Sequence, residues 1–193
     1  IEDYSSISLV KSKNYSLQDT TITQEDLLNV RRDTEITEND DKDKRKVSFP
    51  QANVMEKVIS LMENLYHNPM TKQQIAELMN FDERQSDYYY NAGCYLELFQ
   101  KAENNDRELT RLGERVFKMN YKERQLHIVS LILKHKIFAD FFDSIINTGS
   151  LPNKKEIEER MIALNICNNC DTLSRRANSV LGWLKWIFNL TNI

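Results

Sequence analysis

From Asn53 onward the apolar positions fall at helical spacing. Val54, Val58, Leu61, Met62 and Leu65 stand at i, i+4, i+7, i+8 and i+11, one face of an amphipathic helix. Asn68-Pro69 ends it, because the residue before proline is pushed out of helical geometry. Thr71-Lys72-Gln73-Gln74 has the spacing of a capping box, in which the threonine oxygen accepts an orphan amide and the glutamine reaches back. The short helix it opens is expected to bury Ile75, Leu78 and Met79. Asp82 then caps a third helix with Gln85 in the reciprocal position, and Tyr88, Ala92, Tyr95 and Phe99 form its inner face. Asn104-Asn105-Asp106 is turn material, and Arg107 to Thr110 has room for a short strand before Arg111-Leu112-Gly113.

The same order returns downstream. Leu126, Val129, Leu133, Ile137 and Phe141 predict one long apolar helix that stops near Thr148-Gly149. Asn153 caps the next, with Glu156 in the box position and Ile157, Met161 and Leu164 inward. After the turn at Asn168-Asn169, Asp171 or Thr172 caps a last helix whose inner face is Leu173, Ala177, Val180, Leu181, Leu184 and Phe188. The two halves are degenerate repeats of one supersecondary order. Upstream, residues 1–50 hold a few β-prone patches (Ile7 to Val10, Thr20 to Thr23) and a short helix candidate, Glu25 to Arg32. The run Glu38 to Lys46 is too charged to bury anything, so it reads as a solvated linker.

Composition agrees with helix. The 193 residues include only four glycines and three prolines, too few for the corners of a many-stranded β protein. The expected class is therefore mainly α: a polar tail or linker over 1–48, then two tandem winged helix-turn-helix units with small β-wings, 49–120 and 121–193. Net charge is −3, and the excess acid lies entirely in residues 1–50; from Thr172 to the end there are Arg175, Arg176 and Lys185 and no acid. A local basic face matters more for phosphate contact than the global sum.

Two helices are candidate readers of a duplex. On the third helix of the first unit, Ser86, Tyr89, Tyr90 and Gly93 are expected to turn outward, with Arg84 and Gln85 in the first turn. Arginine suits guanine and glutamine suits adenine, because each can make two bonds to a purine edge. Asn105 and Arg107 are candidates at the wing tip, and Gly93 would let a phosphate backbone come close. The plainer alternative is a solvated face with its aromatics tucked against a neighbouring helix. On the last helix, Thr172 and Ser174 lie near the start, and Arg175, Asn178, Ser179, Gly182 and Trp186 are expected to face outward between Arg176 and Lys185. Small neutral residues between arginines suit a surface pressed against a duplex. For Trp183 and Trp186 the favoured role is packing.

Other chemistry finds little support. A common metal-dependent nuclease core needs an aspartate and a Glu-x-Lys-type triplet; no Glu-x-Lys occurs, and Asp40-Asp41-Lys42 falls in the linker, where nothing is expected to hold it rigid. His127 and His135 lack an accompanying metal pattern, and no phosphate loop or nucleophile elbow is present. Cys167-x-x-Cys170 could supply two zinc ligands or a redox pair, but the other ligands of a structural site are missing, so ordinary thiols are expected. No metal, no cofactor and no catalysis within this chain are expected. An odd cysteine count, no signal peptide and no membrane-length apolar run give a reduced, cytoplasmic setting. The chain opens on Ile1, which reads as a fragment or a processed product.

The run from Thr71 to Tyr89, then Tyr95-Leu-Glu-Leu, Leu109-Thr-Arg-Leu-Gly and Asp171 to Ile187, resembles bacterial winged-helix modules of the kind found with type II restriction endonucleases. It departs at Glu97, where such relatives usually carry a glycine that eases the turn into the wing. The resemblance implies sequence-specific binding of double-stranded DNA by a target-recognition part, with a nuclease domain or subunit elsewhere and a homodimer open. A winged-helix transcriptional regulator and a protein-interaction scaffold are the alternatives.

Overall fold

The computed structural model describes residues 20–168 and 170–191, the side chain of Cys170 excepted. Among them the chain forms α1 (Gln24–Asp33), α2 (Met55–His67), α3 (Lys72–Met79), α4 (Glu83–Tyr95), β1 (Phe99–Lys101), β2 (Arg107–Leu109), α5 (Arg111–Lys118), α6 (Tyr121–Leu133), α7 (Lys136–Thr148), α8 (Lys154–Ala163) and α9 (Cys170–Asn189). The protein is mainly helical, with one small antiparallel hairpin in which Phe99 faces Leu109.

Local chemistry sets most helix starts. Thr71 with Gln74, Asp82 with Gln85, and Asn153 with Glu156 all form reciprocal capping boxes, as their spacing predicts. Between α3 and α4, Asn80 adopts the left-handed conformation, and the Phe81 amide returns 2.8 Å to the Ala76 carbonyl, closing the helix end. Gly149 ends α7 in the same conformation. The inner faces hold for α2, α8 and the start of α9. On α3, however, Leu78 is 51% exposed and only Ile75 is fully buried.

The upstream segment is not a loose tail. Thr20 to Thr23 forms no strand; instead Thr23 and Asp26 make a capping box that starts α1. Leu27 of α1 is buried in the core, Arg31 pairs with Asp143 of α7 at 2.8 Å, and Lys122 of α6 pairs with Asp26 at 3.0 Å. The patch Ile7 to Val10 lies outside the described residues.

The single long helix expected after Leu126 is two. Segment 37–38 lies across its middle: the Thr37 and Glu38 amides both donate to the Lys134 carbonyl, at 3.0 and 3.1 Å, and the Lys136 amide donates to the Glu38 carbonyl at 2.8 Å. His135 is left extended at the start of α7. No proline or glycine marks this break; a strand-like partner from far upstream takes over hydrogen bonds that a continuous helix would have made internally.

Both halves close on one core. At its centre Phe49 stacks on Phe138 and meets Tyr95 edge-on, and Trp183 of α9 stacks on Phe138 at 5.4 Å. The Trp183 indole N–H donates 2.7 Å to the Ala52 carbonyl. Segment 49–54 therefore runs directly over α9, and Gly182 makes room for it: a Cβ there would stand 2.1 Å from the Asn53 carbonyl oxygen.

Candidate nucleic-acid interface

The face of α4 expected to point outward points in. Ser86, Tyr89, Tyr90 and Gly93 are all buried, together with Ala92 and Tyr95, while Tyr88 is only half-buried. Each has a specific seat. The Ser86 hydroxyl donates 3.0 Å to the Lys72 carbonyl of α3, Tyr89 stacks on Phe81 at 4.8 Å, and Tyr90 stacks on Phe99 of β1. Gly93 faces the Phe99 ring, which a Cβ would strike at 1.9 Å, so this glycine serves packing and not a phosphate backbone. Burial raises the Tyr90 and Tyr89 hydroxyl pKa values above the usual tyrosine range. What α4 offers to solvent is its first turn: Glu83, Arg84 and Gln85, the last with its side-chain oxygen committed to the Asp82 amide.

The hairpin splits its two candidates. Asn105 stands exposed at the tip with φ 68°, a left-handed position asparagine tolerates. Arg107 is buried and not at the tip: it pairs with Asp87 of α4 at 2.8 Å and lies over the Tyr90 ring at 4.8 Å. Asp87 also takes Lys72 at 2.6 Å, so this ion cluster bolts the hairpin to the α3–α4 pair. Glu97 enters the hairpin at φ 61°, the left-handed region where glycine would carry no strain.

Helix α9 keeps more of its expected outer face. Arg175, Asn178 and Lys185 are exposed on one face with Asp171 and Asn189, but Gly182, expected to face outward among them, lies under the Asn53 main chain. Ser179 is fully buried and returns its hydroxyl to the Arg175 carbonyl, and both tryptophans are buried, Trp186 being moved from the expected outer face to the core. Thr172 and Ser174 are half-buried; Ser174 contacts Lys154 of α8, and Thr172 lies 3.2 Å from the Cys167 sulfur. Arg176 is half-buried, with its Nε fully covered and lacking a hydrogen-bond partner among the described residues.

The charged run upstream supplies residues that periodicity could not place. Asp40, at φ 59°, is buried; it accepts 2.9 Å from the Tyr95 hydroxyl and 3.0 Å from His135 Nδ1, whose ring stacks on Tyr95 at 3.9 Å. Burial first, and the Asp40 charge second, push the Tyr95 pKa well up. The expectation that nothing holds this stretch rigid is thus corrected, with Asp40 turned towards the core. Beside it, Arg45 reaches the carbonyls of Asp40 at 3.1 Å and Ile166 at 2.9 Å. Lys42 and Arg45 are thereby brought to the start of α9 opposite Arg176. The signal was present in the sequence as the alternating charges of residues 38–46, but nothing local says where such a run docks.

Among the described residues, no group of three or more histidine, cysteine, aspartate or glutamate side chains is placed to share a metal ion, and no helix is long and apolar enough to cross a membrane. The class that emerges is a mainly helical protein with one hairpin and two helical pairs, α3–α4 and α8–α9, each led by a capped short helix. Over residues 57–192 the chain matches the family described as Domain of unknown function (DUF7226), and it belongs to that family. No curated protein and no solved structure matches it.

Proposed function

We propose that this chain binds double-stranded DNA, with α9 as the principal reading helix, and that it serves as a target-recognition part of a restriction-modification enzyme. The observation that carries the reading is the exposed stripe Arg175, Asn178, Lys185 on a 20-residue helix fixed along its opposite side by buried Val180, Trp183, Leu184 and Ile187. Exposed arginine and asparagine on a rigid helix are the side chains able to make paired bonds to guanine and adenine edges. The order α2, α3, short turn, α4, hairpin supports a winged helix-turn-helix reading of the first half, and α8–α9 repeats the helical pair without a hairpin. Arg84 and Asn105 would then make peripheral contacts. The restriction setting rests on the sequence resemblance.

A second reading is favoured by one feature. Leu78 on α3 and Ile162 on α8, both near the ends of the leading helices of their pairs, are 51% and 52% exposed. Apolar side chains at matching places suit a protein partner more than a phosphate backbone. Fluorescence anisotropy of a random-sequence duplex pool against the full chain separates the two. The expected result is salt-sensitive binding that weakens at least tenfold in Arg175→Ala/Asn178→Ala, with the circular dichroism spectrum unchanged. Absence of duplex binding at low salt, or an unaltered isotherm in the variant, would falsify the DNA reading and leave the scaffold.

A further inference from the structure

Between the 40–46 loop and the start of α9 lies an open cavity of about 550 Å³. Among the described residues its charged lining is entirely cationic, Lys42, Arg45 and Arg176, and its polar lining includes Asn168 and Thr172. The neighbouring cavity behind the same loop, about 410 Å³, sets Lys44, Arg45, Lys46 and Lys134 against the carboxylates of Glu38, Asp40 and Glu97. Two cavities share one loop, and only one of them lacks carboxylates.

We propose that the cavity lined by Lys42, Arg45 and Arg176 is a binding site for one phosphate group, engaged by the duplex backbone when α9 docks. The charges there are held together by the fold and not by each other. Arg45 is tied to two backbone carbonyls, which orient the guanidinium without cancelling its charge. The nearby Asp40 carboxylate is committed to Tyr95 and His135. Burial, followed by the Arg176 charge, lowers the Arg45 pKa, the direction expected for two like charges brought together out of water. Arg176 also holds a covered Nε–H with no hydrogen-bond partner among the described residues. Lys42 is partly offset by Asp43 at 3.0 Å, which makes it the rim contact and leaves the two guanidiniums as the main holders. Paired guanidiniums fit a phosphate better than a chloride, because their planar N–H forks match two phosphate oxygens and a spherical ion offers no such pair. An entering phosphate removes the repulsion between Arg45 and Arg176 and supplies an acceptor near the orphan Nε–H.

This inference deepens the DNA reading and rests on it for the source of the phosphate, but the two fail separately. The experiment uses the full chain, with Arg176→Gln and, should that variant unfold, Lys42→Gln. Thermal midpoints are followed while inorganic phosphate replaces chloride at constant ionic strength, and duplex affinity is followed across a salt series. Phosphate should raise the wild-type midpoint and leave that of Arg176→Gln unmoved. Duplex affinity should fall about tenfold, equally for all sequences, the worth of one charge-assisted contact. The slope of log K against log salt should drop by about 1. If wild type binds DNA while the variant keeps the full slope and the full phosphate response, the pocket is not the site and the DNA reading stands. If phosphate stabilises only the wild type and no duplex binds at any salt, the phosphate site holds and the DNA reading falls. Equal phosphate responses in both proteins overturn the site outright.

Discussion

Helices α4 and α9 present similar sequences to inspection, polar faces with arginine near the start and small residues between larger ones, yet the fold treats them differently. On α4, everything past the first turn except Asp87, Tyr88, Asn91 and Cys94 is buried, by Phe81, Phe99, Arg107 and the α3 backbone. On α9, Arg175, Asn178 and Lys185 stay exposed, and the Asn53 main chain crosses their face only at Gly182. The small residues that look like room for a ligand are in both helices room for the protein itself. Gly93 receives the Phe99 ring, Gly182 receives the Asn53 carbonyl, and Ser86 and Ser179 are fully buried. A small residue on a helix marks a close approach; only its neighbours decide whether the visitor is a strand, a ring or a phosphate.

The contrast can be broken most directly at its two glycines. Gly182→Ala should destabilise by about 3 kcal/mol, because the new methyl meets main chain that cannot rotate away. Gly93→Ala should cost somewhat less, about 2–3 kcal/mol, since the new methyl meets a side chain and not main chain, but the buried Phe99 ring is struck as far in as its Cγ and is stacked on Tyr90. Urea midpoints at unchanged m-value measure both, and a silent Gly182→Ala would mean that segment 49–54 does not lie over α9. Next in size is Arg107→Ala. Loss of one partner from a buried pair typically costs about 3–5 kcal/mol, but Asp87 is partly exposed and keeps Lys72, so about 2 kcal/mol is expected. Its duplex affinity per folded molecule should be unchanged. Weakened binding with unaltered stability would instead return the hairpin to the interface and erase the distinction between the two helices. The smallest effect sharpens the comparison at the hairpin entry. Glu97→Gly releases about 1–2 kcal/mol of left-handed strain against roughly 0.5–1 kcal/mol of added chain entropy. A net gain of about 0.5–1 kcal/mol should appear as a raised thermal midpoint, and a loss would show that Glu97 is held by more than its backbone, for instance by Lys134 at 3.5 Å.

Much of this was legible in the chain because its cause is local. Thr71, Asp82 and Asn153 start helices through bonds to amides three residues on, so none of the three needs a distant partner. The hairpin turn at Asn105, the end at Gly149 and the apolar stripe of α2 are equally self-contained. Faces were legible only where apolar and polar residues separate cleanly. Tyr88-Tyr89-Tyr90 offers apolar area in every direction, so helical arithmetic could not choose which rings go inside, and the positions of Phe81 and Phe99 did. The break at His135, the burial of Asp40 and the cationic cavity shared by Arg45 and Arg176 were decided by tertiary structure alone. Each arises where a segment far away in sequence supplies a hydrogen bond or a charge, and local pattern carries no information about which distant segment will arrive.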